Sequence, residues 1–129
     1  MTQIICSPVP VLKTERLLLR TLKASDDNDI FRLRSNDVVN KYLGRQPSTS
    51  VDDAKKFIEK INENVIKNNS IYWAITLHTH DELIGAICLF NFSDDNTTAE
   101  IGYELLPAFH GKGIMREAAA KDDRLYTSR

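Results

Sequence analysis

The sequence predicts an α+β domain in which helices flank a sheet built around a central antiparallel meander. Three observations carry this. Apolar residues alternate through 71–106 in runs separated by short polar turns. Apolar residues recur at helical spacing through 54–65. A glycine pair at 111 and 113 then joins the last strand to a run of helix formers.

In chain order, residues 1–13 are expected to be loosely ordered. The first strand is "TERLLLRTL" (14–22), where Leu17 and Leu19 alternate with Leu18 and Arg20, so its two faces differ. In "KASDDNDIFRLRSND", Ser25 reads as an N-cap, and Asp26 and Asp27 suit the positive end of a helix dipole. Ile30, Phe31 and Leu33 give that short helix its apolar stripe, and it is expected to end near Asn36. After a loop at 44–47, "STSVDDAKKFIEKINENVIKNN" is the clearest helix. Ser50 and Asp53 open it like a capping box, Ala54, Phe57, Ile58, Ile61 and Val65 share one face, and Asn68 and Asn69 stop it. Three strands follow, "IYWAITL" (71–77), "ELIGAICLFNF" (82–92) and "TTAEIGYELL" (97–106), joined by the turns "HTHD" and "SDDN". Connections this short favour antiparallel neighbours.

A chain of 129 residues, 42% hydrophobic and 27% charged, suits one domain that buries about two thirds of its unfolded surface. A net charge of −1 argues against a nucleic-acid partner, which usually calls for a basic excess. The longest apolar run, "LIGAICLF", is far short of the roughly 20 residues a membrane helix needs. "MTQIICSPVPVL" lacks the basic start and cleavage site of an export signal, so a cytoplasmic location without membrane contact is expected. Cys6 and Cys88 are then read as unpaired thiols. His78 and His80 fall in a turn and are expected to face water, Trp73 and Tyr103 are expected in the core, and no His/Cys/Asp/Glu grouping has metal-ligand spacing.

Chemistry is concentrated in "PAFHGKGIMREA" (107–118). The chain has five glycines, and two stand here, before a helix start. A helix begins with N–H groups that have no intrahelical partner and with partial positive charge. Glycines in front of it give an anion access to those donors, so the stretch can cradle a diphosphate, with Lys112 and Arg116 adding charge. Two such glycines also fit a plain strand-to-helix connection. Neither the Walker A pattern, which needs Lys-Ser/Thr after its glycine, nor the dinucleotide fingerprint, which needs a small residue where Arg116 stands, matches.

"TERLLLRTL", "LIGAICL" and "AEIGYELLPAFHGKGIMREA" together resemble the GNAT acyl-CoA acetyltransferases, most of all the branch of ribosomal-protein N-terminal acetyltransferases, over residues 14–120. The resemblance implies a GNAT-like mixed sheet and acetyl-CoA as acetyl donor. It places the cofactor motif on His110, Gly111, Lys112, Gly113, Ile114 and Met115, where His110 and Met115 depart from the family's usual residues. It also places a strand bulge, whose backbone pairs with the pantetheine arm, on Leu105 and Leu106, where a freed N–H would stabilise the oxyanion.

Acetyl transfer to an amine needs the amine deprotonated, and a carboxylate can take that proton. Glu100 and Glu104 share one face of the last strand; Glu100 is the first choice as base and Glu104 the second, against a plain reading in which both line a solvated face. The family's general acid comes from elements after a further strand; Tyr126 lies too near the glycine turn, so no acid is assigned. The tail "KDDRLYTSR" puts Asp122 on an apolar helix stripe, which predicts fraying there, and residues 121–129 read as an atypical end of a C-terminally truncated domain. A sheet cut short in this way would leave an open edge for a homodimer or a swapped oligomer.

The expected function is N-acetyl transfer from acetyl-CoA to a primary amine, of a peptide N-terminus or a small molecule, by direct attack in a ternary complex. The alternatives are a non-catalytic relative that binds CoA or a partner protein and, more remotely, an α+β sensory domain that binds no nucleotide.

Overall fold

A computed structural model describes residues 11–36, 50–67, 69–95 and 98–126, the last six of these in backbone only. Cys6, the loop at 44–47 and the helix-stopping Asn68 lie outside the described residues. Five strands run β1 (Leu12–Lys13), β2 (Leu17–Arg20), β3 (Ile71–Leu77), β4 (Leu83–Phe90) and β5 (Glu100–Leu105). Among the described residues the helices are α1 (Asp27–Ser35), α2 (Val51–Ile66) and α3 (Ile114–Tyr126).

The strands pair in chain order, each antiparallel to the next, so the predicted meander is present and extends back through β2 to β1. The sheet is wholly antiparallel among the described residues; no parallel pair that would make it mixed lies within them. Leu12 pairs with Leu19 and is buried, at the end of the stretch 1–13, whose first ten residues lie outside the described ones.

Both faces of the sheet are covered. Leu17, Leu19, Trp73, Ile75, Ile87 and Leu89 cluster with Ile114 and Ala118 of α3. Tyr72, Ala74, Leu83 and Ala86 cluster with Ile30 and Leu33 of α1 and Ala54 and Ile58 of α2. This explains why β3 is buried along nearly its whole length instead of alternating.

Ser50 caps α2 as its sequence predicts, its Oγ accepting the Asp53 N–H at 3.2 Å. The cap of α1 is different. Ser25 sits inside a 3₁₀ turn (Ala24–Asp26), and the buried Asp26 is the organising residue. Its carboxylate accepts the Lys23 N–H at 2.7 Å and meets the Arg20 guanidinium through two contacts of 2.9 Å. α3 stays helical to Tyr126, past Asp122, where the sequence predicts fraying.

Candidate functional site

After β5 the chain makes a 3₁₀ turn (Pro107–Phe109) and then the glycine turn that leads into α3. Gly111 and Gly113 have φ of 75° and 74°. Left-handed backbone at both positions explains why glycine stands there, since a side chain would strain either one. Space above Gly111 is open, with no atom within 4 Å of where a Cβ would stand.

Helical bonding starts where the Glu117 N–H donates to the Gly113 carbonyl at 3.1 Å. The N–H groups of Ile114, Met115 and Arg116 therefore lie in the unpaired first turn, and no acceptor meets them among the described residues. Ile114 is buried and Met115 packs partly against the core, so both side chains are anchored on the protein side of the turn. Lys112 and Arg116 are exposed beside it, Lys112 Nζ lying 5.8 Å from the Phe109 ring centroid. The residue types thus fit a bound diphosphate: open donors, free approach and cationic flanks.

Two ties hold the turn in place. The His110 Nε2–H donates to the Leu105 carbonyl at 2.8 Å, fixing which ring nitrogen carries the proton, because a carbonyl only accepts. Arg16, just before β2, donates from Nη1 to the Lys112 carbonyl at 2.9 Å and from Nε to Glu117 Oε1 at 2.8 Å. Glu117 also accepts from the Thr14 hydroxyl and the Arg16 N–H. Burial pushes the Glu117 carboxyl up, but these hydrogen bonds outweigh it and hold the group below its ordinary range. No local pattern announces this tie, whose partners stand 101 residues apart.

The end of β5 differs from the expected bulge. Register with β4 is continuous from Phe90–Glu100 to Gly85–Leu105, and the Leu106 N–H carries the ladder on to the Ile84 carbonyl at 2.9 Å. The register shift of the sheet falls between Ile75 and Thr76 instead. Leu106 N–H is thereby committed to β4. Strand alternation turns Leu105 the other way, toward the open edge, where His110 meets its carbonyl. Along this edge Ile101 and Tyr103 are 36% and 42% exposed, so Tyr103 is not the core residue the alternation suggests.

On the other face of β5 lies a cavity of about 310 Å³, lined by Arg34, Phe57, Tyr72, Cys88 and Glu104 among others. The Tyr72 hydroxyl donates to Glu104 Oε1 at 3.2 Å. Burial, and then the Glu104 charge, push the Tyr72 phenol well above its ordinary 10.0, so it remains a donor. Arg34 stacks over the Phe57 ring at 3.8 Å. Glu100, at the far end of the strand, is exposed and accepts from Asn91 Nδ2 at 2.6 Å. The structure thus separates the two candidate carboxylates: Glu104 lines the cavity one residue from the turn-facing carbonyl, and Glu100 does not. Cys88 is a half-buried thiol lining the same cavity, and His78 and His80 are exposed as expected. No group of metal-ligating residues occurs among the described residues, and no described helix is long and apolar enough to cross a membrane.

Residues 16–121 match the acetyltransferase (GNAT) domain family. The uncharacterised N-acetyltransferase YoaA of Bacillus subtilis is 33% identical over 112 residues, which cover 87% of this chain and 63% of that protein. The chain thus spans less than two thirds of that relative's length. Among solved structures, the ribosomal L7/L12 alpha-N-protein acetyltransferase RimL in complex with coenzyme A matches with a TM-score of 0.75 and 21% identity, over 91% of this chain and 67% of that one. The microcin C7 self-immunity acetyltransferase MccE, in complex with acetyl-CoA and AMP, matches with a TM-score of 0.77 and 20% identity, over 95% and 68%.

Proposed function

Because this chain belongs to the acetyltransferase (GNAT) domain family, we propose that it binds acetyl-CoA at the 110–115 turn and passes the acetyl group to a primary amine. The observation that carries the reading is the set of open N–H groups beyond the left-handed Gly111 and Gly113, at the positive end of α3. Acetyl-CoA would supply a thioester whose acyl carbon an amine can attack, releasing CoA as the thiol.

The chain's own residues then divide the work. Gly111, Gly113, Ile114 and Met115 present backbone donors to the diphosphate, with Lys112 and Arg116 adding charge. His110 holds the turn to β5. Leu105 offers its edge backbone to the pantetheine arm, while Leu106 keeps that edge in register. Glu104, oriented by Tyr72, takes the proton from the incoming ammonium in the cavity. The acceptor is an amine of a size that the cavity admits, a peptide N-terminus or a small molecule. A second copy is seated along β5, where the exposed Ile101 and Tyr103 lie. Light scattering then gives a dimeric mass that Tyr103→Lys reduces; a wild-type monomer at all concentrations removes this part.

Acetyl-CoA at 100 times its dissociation constant is expected to stabilise the protein by about 2.7 kcal/mol. Gly113→Val, which puts a β-branched side chain at φ 74°, is expected to abolish that thermal shift. Thiol release on adding a panel of amines checks turnover. A shift without thiol release would point to the non-catalytic CoA-binding module instead, and an unaltered shift in Gly113→Val would remove the turn as the site.

A further inference from the structure

The T-E-R-L stretch that opens β2 has a second use. Three guanidinium nitrogens of Arg16 are available, and two are committed: Nε to Glu117 and Nη1 to the Lys112 carbonyl. These two bonds fix the plane of the group beside the glycine turn. Nη2 then lies 3.7 Å from the point a Cβ on Gly113 would occupy, next to the open first turn of α3, and it meets no acceptor among the described residues. The side chain is 44% exposed, so Nη2 is within reach of solvent and ligand.

A neutral donor would serve as well for the Lys112 carbonyl. What a guanidinium adds is a planar fork that keeps its charge and has donors to spare, the geometry suited to phosphate oxygens. Among the described residues Lys112, Arg116 and Arg16 stand as cations at the turn beside the carboxylate of Glu117, which already accepts three hydrogen bonds. We propose that Arg16 is a phosphate-binding residue of this chain, its Nη2 donating to the diphosphate held by the glycine turn while its other nitrogens fix that turn in shape. The inference rests on the acetyl-CoA reading and extends it to a residue far away in sequence.

Isothermal titration of the full chain with CoA, and with inorganic pyrophosphate as a second probe, tests it. Arg16→Gln is expected to raise the dissociation constant for CoA about 10- to 100-fold, the range for a lost charge-assisted hydrogen bond. That loss is expected to shrink between 0.05 and 0.5 M salt, as screening predicts for a charge contact. Arg16→Lys, which keeps the charge but loses the planar fork, is expected to recover part of that loss. If it weakens binding as much as Arg16→Gln, or if the Arg16→Gln loss is independent of salt, Arg16 acts only as a structural tie and the proposal is overturned. Wild-type binding with Arg16→Gln within twofold overturns Arg16 alone; a wild-type chain that binds neither probe overturns the acetyl-CoA reading as well.

Discussion

If the proposed function holds, replacing Glu104 by Gln is expected to lower the rate of acetyl transfer by about 10²- to 10⁴-fold, the usual contribution of a positioned proton acceptor. Gln keeps the shape of the side chain and can still accept from the Tyr72 hydroxyl, which meets Glu104 Oε1 at 3.2 Å. It cannot take a proton from an ammonium. The loss is therefore expected in the maximal rate, with the acetyl-CoA thermal shift unchanged, because Glu104 lies on the cavity face and the cofactor turn on the far side of Leu105. Glu100→Gln is the matched control. Glu100 is exposed and engaged with Asn91, so its rate should stay within about twofold of wild type, an ordinary surface substitution. Steady-state thiol release from the two variants decides between them; a large loss in Glu100→Gln with none in Glu104→Gln would exchange their roles.

Asp26→Asn is expected to destabilise the fold by about 3–5 kcal/mol, the range for breaking a buried ion pair by removing one partner. The side chains of Arg20 and Asp26 are only 9% and 6% exposed, and their two contacts of 2.9 Å join the end of β2 to the start of α1. Asn would leave the guanidinium buried with its charge uncompensated, while its Nε already has no partner among the described residues. For a chain of this size the melting temperature should fall by roughly 10–20 °C. Replacing both residues with apolar side chains of similar size, Arg20→Met with Asp26→Leu, should recover most of the loss, because the penalty lies in the unpaired charge. Equal damage from the double variant would refute that attribution. pH gives a second handle. Burial pushes the Asp26 carboxyl up, but Arg20 and the Lys23 N–H outweigh it and hold the group below its ordinary 3.8. Since the folded-state pKa is the lower one, the stabilisation is complete above about pH 3.8 and is lost as pH falls below it. Asp26→Asn should lack this acid limb in a melting series.

Much of the architecture was legible from short-range pattern. Period-2 runs with turns of a few polar residues determined the order and sense of β3, β4 and β5. Helical spacing and Ser50 determined α2, and the glycine pair marked the left-handed turn proposed to hold the diphosphate. Each of these depends on dihedral preferences and hydrogen bonds that act within a few residues, so the sequence carries them directly. Period 2 puts Glu100 and Glu104 on the same face, however, and cannot say which of them stands under a neighbour. That depends on where α2 crosses the sheet. The same holds for Tyr72 behind Glu104 and for Arg16 reaching Glu117 and Lys112. Register likewise decided that Leu106 stays in the ladder while Leu105 turns outward. Partners brought together by closing loops of tens of residues are chosen by burial and sheet registration in the folded chain, so only the tertiary structure could name them.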